Sequence, residues 1–169
     1  MFSKEEITKL HAHRPYDHEI KLVEGVIPPY GPIYPLLEKE LAELRGYLNK
    51  ETSSGKIQKS KCPAAAPIIF VPKPDKSLWM CVDYRALNKI TIKDRTPLPL
   101  MSELRERLAK ARVFTKLDLK NGYNLIHITE GEEWKTMLHT RYGLFNYLVM
   151  PFGLCNAPAI FYAMINEVL

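Results

Sequence analysis

The sequence predicts an α+β fold, and three observations carry that prediction. Helix-like and strand-like patterns both occur, but in mixed order, without the repeating strand–helix–strand units that build a parallel α/β sheet. The clearest pair of strand-like runs is joined by turn-forming residues, as in a β-hairpin. The 169 residues are 46% hydrophobic, enough for one core or two small subdomains. No internal repeat and no low-complexity tract is present.

The first 36 residues carry Pro15, Pro28, Pro29, Pro32 and Pro35. Proline removes backbone donors and fixes φ, so residues 1–36 are expected to form an extended arm laid over other elements. Leu37, Leu41, Leu44 and Leu48 then recur at helical spacing and predict an amphipathic helix from Leu36 to Leu48, stopped by Ser53-Ser54-Gly55. Within residues 66–84, PIIFV and LWMCVDY are strand-like and PKPDKS is rich in turn formers, which puts Lys73 and Lys76 at or near a hairpin tip. A second helix is expected from Met101 to Ala111, with Leu100, Leu104 and Leu108 on one stripe. Residues 113–123 read VFTKLDLKNGY and predict a strand ending in the turn Asn121-Gly122. LIHI is a further short strand, and KTMLHT and FNYLVM are two more, joined through Tyr142-Gly143. From Ala157 to Leu169 a helix is expected, with Phe161, Ile165 and Val168 on one face and Met164 beside them.

Charge is unevenly distributed. Residues 52–120 hold fifteen Lys/Arg against six Asp/Glu, whereas the segments before and after are mildly acidic. A basic middle favours a polyanionic partner over a merely solvated face. No apolar run approaches the ~20 residues of a membrane span, and the polar start MFSKEEITKL does not resemble a secretory signal. An intracellular location, cytoplasmic or nuclear, is the resulting expectation. Cys62, Cys81 and Cys155 are odd in number and widely spaced, so reduced thiols are expected. His11-x-His13 has no companion at metal-ligand spacing and is not read as a zinc site.

Asp118 is the most informative residue. A carboxylate within the apolar run Val113, Phe114, Leu117 and Leu119 costs free energy unless it is paired or binds a metal. A helix N-terminal cap, or a buried ion pair with Lys116 or Lys120, is the plain alternative to a functional site.

The blocks HRPYDHEI, PPYGPIYPL, SGKIQKSKCPAAAPIIFVPKPD, CVDYRALNKITIKDRTPLPL, FTKLDLKNGY and YLVMPFGLCNAPAIF occur in this order. Together, from about His13 to Leu169, they resemble the reverse transcriptase domain of gypsy-type LTR retrotransposons. The resemblance implies the N-terminal half of that domain. Residues 1–36 would be the proline-rich arm, 37–100 the fingers subdomain, and 101–169 a partial palm subdomain of a right-hand-shaped RNA-directed DNA polymerase. Such enzymes extend a primer by nucleotidyl transfer with two Mg²⁺ ions, on an RNA or DNA template-primer and deoxynucleotides.

Residue roles follow from the resemblance. Asp118 matches the first catalytic, metal-binding carboxylate. Lys73, Tyr123, Phe152 and Gly153 match nucleotide-binding positions, Tyr123 being the ring that excludes a 2′ hydroxyl. Asp83, Arg85, Asn88 and Pro158 match positions near the template strand or the floor of the site. The other two catalytic carboxylates of the family lie in a Tyr-x-Asp-Asp hairpin, and no Asp follows Asp118. The chain is therefore expected to be truncated before that hairpin and not to polymerise DNA. An exposed sheet edge, an apolar patch under the last helix and low stability are expected with it. Pro74 and Trp79 stand where the family usually has lysine and arginine. Cys155, Asn124, Leu125 and Tyr162 also depart from the usual residues, which points to a drifting copy with weakened nucleotide binding. The rival expectation is a non-catalytic nucleic-acid-binding relic that keeps the basic 52–120 segment.

Overall fold

The computed structural model describes residues 10, 12–96, 100–116 and 118–168. Expectations that rest on His11 and Leu117 lie outside the described residues. Helix α1 spans Glu38–Ser53. Glu40 reaches back to accept a hydrogen bond from the Leu37 amide at 2.7 Å, satisfying one donor that the first helical turn leaves open. Leu44 and Leu48 are buried. The helix runs five residues past the expected end because no breaker intervenes before Gly55, whose φ of +75° a side chain would resist. Buried Glu51 then meets Lys56 Nζ at 3.4 Å, tying the helix end to β1, Ile57–Lys59.

Strands β2 (Ala66–Pro72) and β3 (Leu78–Val82) form the expected hairpin, in register from Ile68 opposite Val82 to Pro72 opposite Leu78. Its tip is closed by Asp75, whose carboxylate accepts from the amide and hydroxyl of Ser77, and by Lys76 at φ +66°. A short helix α2 follows at Arg85–Ile90. Strands β4 (Leu138–Thr140) and β5 (Gly143–Tyr147) form a second hairpin. Together they make a five-stranded mixed sheet in the order β1-β5-β4-β2-β3, parallel only where Ala66 and Pro67 face Leu138 and His139. The sheet draws strands from both sides of residue 100.

Three strand expectations are corrected. KTM of the KTMLHT run lies mostly in a 3₁₀ turn, Glu133–Thr136, ahead of β4. LIHI makes only isolated bridges, His127 with Val149 and Ile128 with His18. No strand forms at Asp118: Val113 and Phe114 are 85% and 64% exposed, and Asp118 itself is exposed. A strand is stable only when its ladder of N–H and C=O groups is paired, and no described residue offers that ladder to residues 113–116 or 118–119.

Helix α3 forms at Met101–Leu108, but its stripe of Leu100, Leu104 and Leu108 is exposed. Helix α4, Ala157–Val168, instead packs on the core through Ala157 and Met164. The exposed apolar patch is therefore on α3 and the residues after it, not under the last helix. Two clusters make up the core. One gathers Leu44, Leu48, Ile68, Leu138 and Phe145 between α1 and the sheet. The other gathers Ile20, Tyr84, Leu87, Ile126, Met150 and Met164. The arm is strapped across the second: the His18 amide donates to the His127 carbonyl, Ile92 to Lys21, and Gly31 to Ala65. Gly31 admits no side chain there, since a Cβ would lie 2.8 Å from Pro67 Cδ. No helix among the described residues is long and apolar enough to cross a membrane.

Candidate nucleotide and nucleic-acid site

The β2–β3 hairpin carries Lys73 to a tip that overhangs the loop before α4. Lys73 Nζ lies 5.3 Å from the centre of the Trp79 ring, and Trp79 meets Phe152 edge-to-face at 6.3 Å. Phe152 packs on Tyr123 at 4.9 Å, and Tyr123 on Phe161 at 5.1 Å. Lys73, Trp79, Phe152 and Gly153 line a cavity of about 500 Å³, which Glu43, Tyr47, Lys50 and Glu51 of α1 also line. Tyr47 also donates to or accepts from the Tyr147 hydroxyl at 2.8 Å; burial pushes its phenol up to about 12, so it stays neutral.

Gly153 is held at φ +98° and is clamped from α2. The Asn88 amide donates to the Gly153 carbonyl at 2.7 Å, and its oxygen accepts from the Cys155 amide at 2.9 Å. Asn156 does the same for the segment after α2, accepting from the Asp94 amide and donating to the Ile92 carbonyl. Asp83 and Arg85 form a two-pronged ion pair at 2.8 and 2.6 Å, and that hydrogen bonding holds the Asp83 carboxyl below the usual carboxylate range. Both line a second cavity of about 340 Å³, bounded by arm prolines Pro28, Pro29 and Pro32.

The structure thus brings Lys73, Phe152 and Gly153 to one cavity and Tyr123 into contact with it. Asp83 pairs with Arg85, and Asn88 engages the Gly153 loop. Asp118 lines neither cavity, and Pro158 is exposed in the first turn of α4. Among the described residues no three of His, Cys, Asp or Glu stand close enough to hold a metal ion. One carboxylate supplies a single oxygen ligand group, whereas two divalent ions a few ångströms apart need several to offset their repulsion. These residues alone do not fit a two-ion centre. Sequence reasoning missed the loop-holding roles of Asn88 and Asn156, because an amide that bonds backbone leaves no periodic signal.

A mixed sheet with a lysine-tipped hairpin above an aromatic floor is the fingers and palm architecture of a right-hand polymerase. The foamy viral protease–reverse transcriptase in complex with double-stranded DNA is similar over 93% of this chain and 31% of that one, with a TM-score of 0.72 and 26% identity. The same enzyme in complex with an RNA/DNA hybrid gives a TM-score of 0.73 at 24% identity, over 93% of this chain and 21% of that one. Residues 71–169 match the family model for reverse transcriptase (RNA-dependent DNA polymerase). The Transposon Tf2-3 and Tf2-7 polyproteins of Schizosaccharomyces pombe are each 41% identical over 136 residues, covering 80% of this chain. The chain belongs to the reverse transcriptase family, as a domain fragment of an LTR retrotransposon polyprotein. It spans 10% of the length of those polyproteins. The family is generally dependent on divalent metal ions.

Proposed function

We propose that residues 1–169 form the N-terminal half of a gypsy-type RNA-directed DNA polymerase domain, the part that faces nucleotide and template. The convergence of Lys73, Phe152, Gly153 and Tyr123 on one cavity edge carries this assignment. Residues 1–36 are the arm, 37–100 the fingers and 101–169 the partial palm, with β4 and β5 returning to complete the fingers sheet. Lys73 receives a phosphate, Tyr123 and Phe152 bound the sugar and base, and Gly153 allows the backbone to approach them. Arg85, oriented by Asp83, faces the template together with Asn88 and Pro158. Asp118 is the catalytic and metal-binding carboxylate, one ligand toward Mg²⁺. Further carboxylates are required for chemistry, so residues 1–169 by themselves bind template-primer without extending it.

Template-primer as partner is supported by the basic 52–120 segment and by the nucleic-acid complexes of the similar foamy viral enzyme. The test is a titration of the 169-residue chain with fluorescent primer–template at two salt concentrations, followed by a primer-extension assay with Mg²⁺ and deoxynucleotides. Binding that weakens steeply with salt and yields no extension is expected. Absence of binding at low salt overturns the assignment, and Mg²⁺-dependent extension overturns the claim of inactivity. The basic segment and lone carboxylate equally favour a second reading, a non-catalytic nucleic-acid-binding relic. It is distinguished by deoxynucleotide binding, which that relic has no reason to keep.

A further inference from the structure

The sheet has two edges, and β1 is the one far from the Lys73 hairpin. Strands lie about 4.8 Å apart, so the order β1-β5-β4-β2-β3 sets β1 roughly 19 Å from β3. On its inner side β1 pairs with β5. The Leu148 amide donates to the Lys56 carbonyl at 2.8 Å and the Ser60 amide to the Leu144 carbonyl at 2.9 Å, with Gln58 opposite Asn146 between them. Alternate residues of an antiparallel strand turn their main-chain groups the other way. The N–H and C=O of Ile57 and of Lys59 therefore face outward, and no described strand pairs with them. Ile57 packs in the core with Phe145 and Tyr147, beneath Leu44 and Leu48 of α1. Lys59, opposite Phe145, stands on that same face but is exposed. The register carries Lys61 level with Gly143, beside the β4–β5 turn. There Arg141 is exposed, and the Arg45 guanidinium of α1 lies 4.9 Å from the centre of the Tyr142 ring. Arg45, Lys59, Lys61 and Arg141 form no ion pair among the described residues.

We propose that the outer edge of β1 docks an acidic, extended peptide of a partner protein, which adds to the sheet as a further strand. Charge and main-chain pattern choose this occupant. A second copy pairing edge to edge would bring Lys59 and Lys61 against their own counterparts, and like charges oppose that contact. A phosphate chain offers acceptors only, so it would leave the Ile57 and Lys59 carbonyls facing its negative charge. A peptide strand presents donors and acceptors in alternation and satisfies all the outward groups. Its alternate side chains fall on the α1 face, where Asp or Glu meets Lys59, Lys61 and Arg45. The same lysines discourage indiscriminate pairing, so the edge selects acidic strands against neutral or basic ones.

The probe is a short fluorescein-labelled peptide alternating threonine and glutamate, titrated into the full 169-residue chain at low salt and followed by anisotropy. Saturable binding is expected, and hydrogen exchange at the Ile57 and Lys59 amides slows when the peptide is bound. The fully N-methylated peptide carries the same charge but no main-chain donors, and it is expected not to bind. Lys59→Glu combined with Lys61→Glu weakens binding by roughly tenfold, the scale of two cross-strand charge pairs turned repulsive. Both substitutions lie at exposed positions. The N-methylated peptide and the exchange measurement use the unaltered chain, so they decide the matter even where the double variant fails to fold. Equal affinity for the N-methylated peptide, unchanged exchange at both amides, or undiminished binding to the double variant overturns strand addition. Oligouridylate RNA supplies the other arm. If it binds through Lys59 and Lys61 while the acidic peptide does not bind, the edge serves nucleic acid and the proposal falls.

Discussion

Gly153 and Asn88 show how single residues hold the cavity rim. At φ +98° an L side chain is strained whatever space surrounds it, and a Cβ there would also sit 3.4 Å from the buried Tyr84 ring. Gly153→Ala is expected to destabilise the chain by about 1–2 kcal/mol, read as a lower urea midpoint. Asn88 satisfies two backbone groups of the same loop, so Asn88→Ala leaves an unpaired donor and acceptor and costs about 1–3 kcal/mol. If Asn88→Ala instead weakened template binding at an unchanged urea midpoint, its loop-holding role would be wrong. Gly153 was legible in the sequence as a nucleotide-binding position, through the resemblance of its block. The clamp was not, because it joins residues 65 apart in the chain and depends on where α2 packs.

The arm is the element whose attachment depends on pH. His18 is 1% exposed, and burial pushes its imidazole down from 6.5 to about 4, opposed by the charge of Asp94. Its Nδ1 has no hydrogen-bond partner among the described residues, so a proton there gains little in the folded state. Neutral His18 is favoured by folding and protonated His18 by unfolding. Its contribution is therefore complete above about pH 6.5 and is lost as pH falls through the window down to about 4, reaching roughly 3 kcal/mol there. Urea midpoints measured between pH 7 and pH 4 should fall accordingly, and a His18→Gln variant should flatten that slope; an equal slope in both proteins refutes the role. Asp83 and Asp94, held low by Arg85 and by Thr96 respectively, lose their own contributions only below this window. Elements differed in how plainly the sequence announced them. Helix α1 and the β2–β3 hairpin combine a periodic pattern with a local stop, so each is legible alone. A strand at Asp118 was a reasonable expectation from its apolar run, but a strand is half of a pair, and no single run specifies its partner. The parallel contact of β2 with β4 crosses more than seventy residues and is invisible to any local pattern for the same reason.

At the scale of the whole molecule, apolar surface is distributed in two very different ways. The two core clusters close over α1, α4 and the sheet, while Leu100, Met101, Leu104, Leu108, Val113, Phe114 and Leu119 all remain exposed within twenty residues of chain. A monomeric domain rarely leaves so large an apolar tract in water, and the Arg and Lys residues between these positions oppose association only at low salt. The purified 169-residue chain is therefore expected to self-associate as salt is raised. Light scattering coupled to size-exclusion chromatography should report masses above the 19.5 kDa of one chain. The triple variant Leu104→Glu, Leu108→Glu, Phe114→Glu places charge on that tract without touching either core. Each exposed site changes stability by no more than about 0.5 kcal/mol, so the variant should remain folded while its mass returns to that of a monomer. Salt has opposite effects on the two surfaces of this molecule, weakening the contact of its basic segment with nucleic acid and strengthening apolar association. A wild-type chain that stays monomeric at high salt would mean that residues 100–119 cover their own apolar side chains in solution.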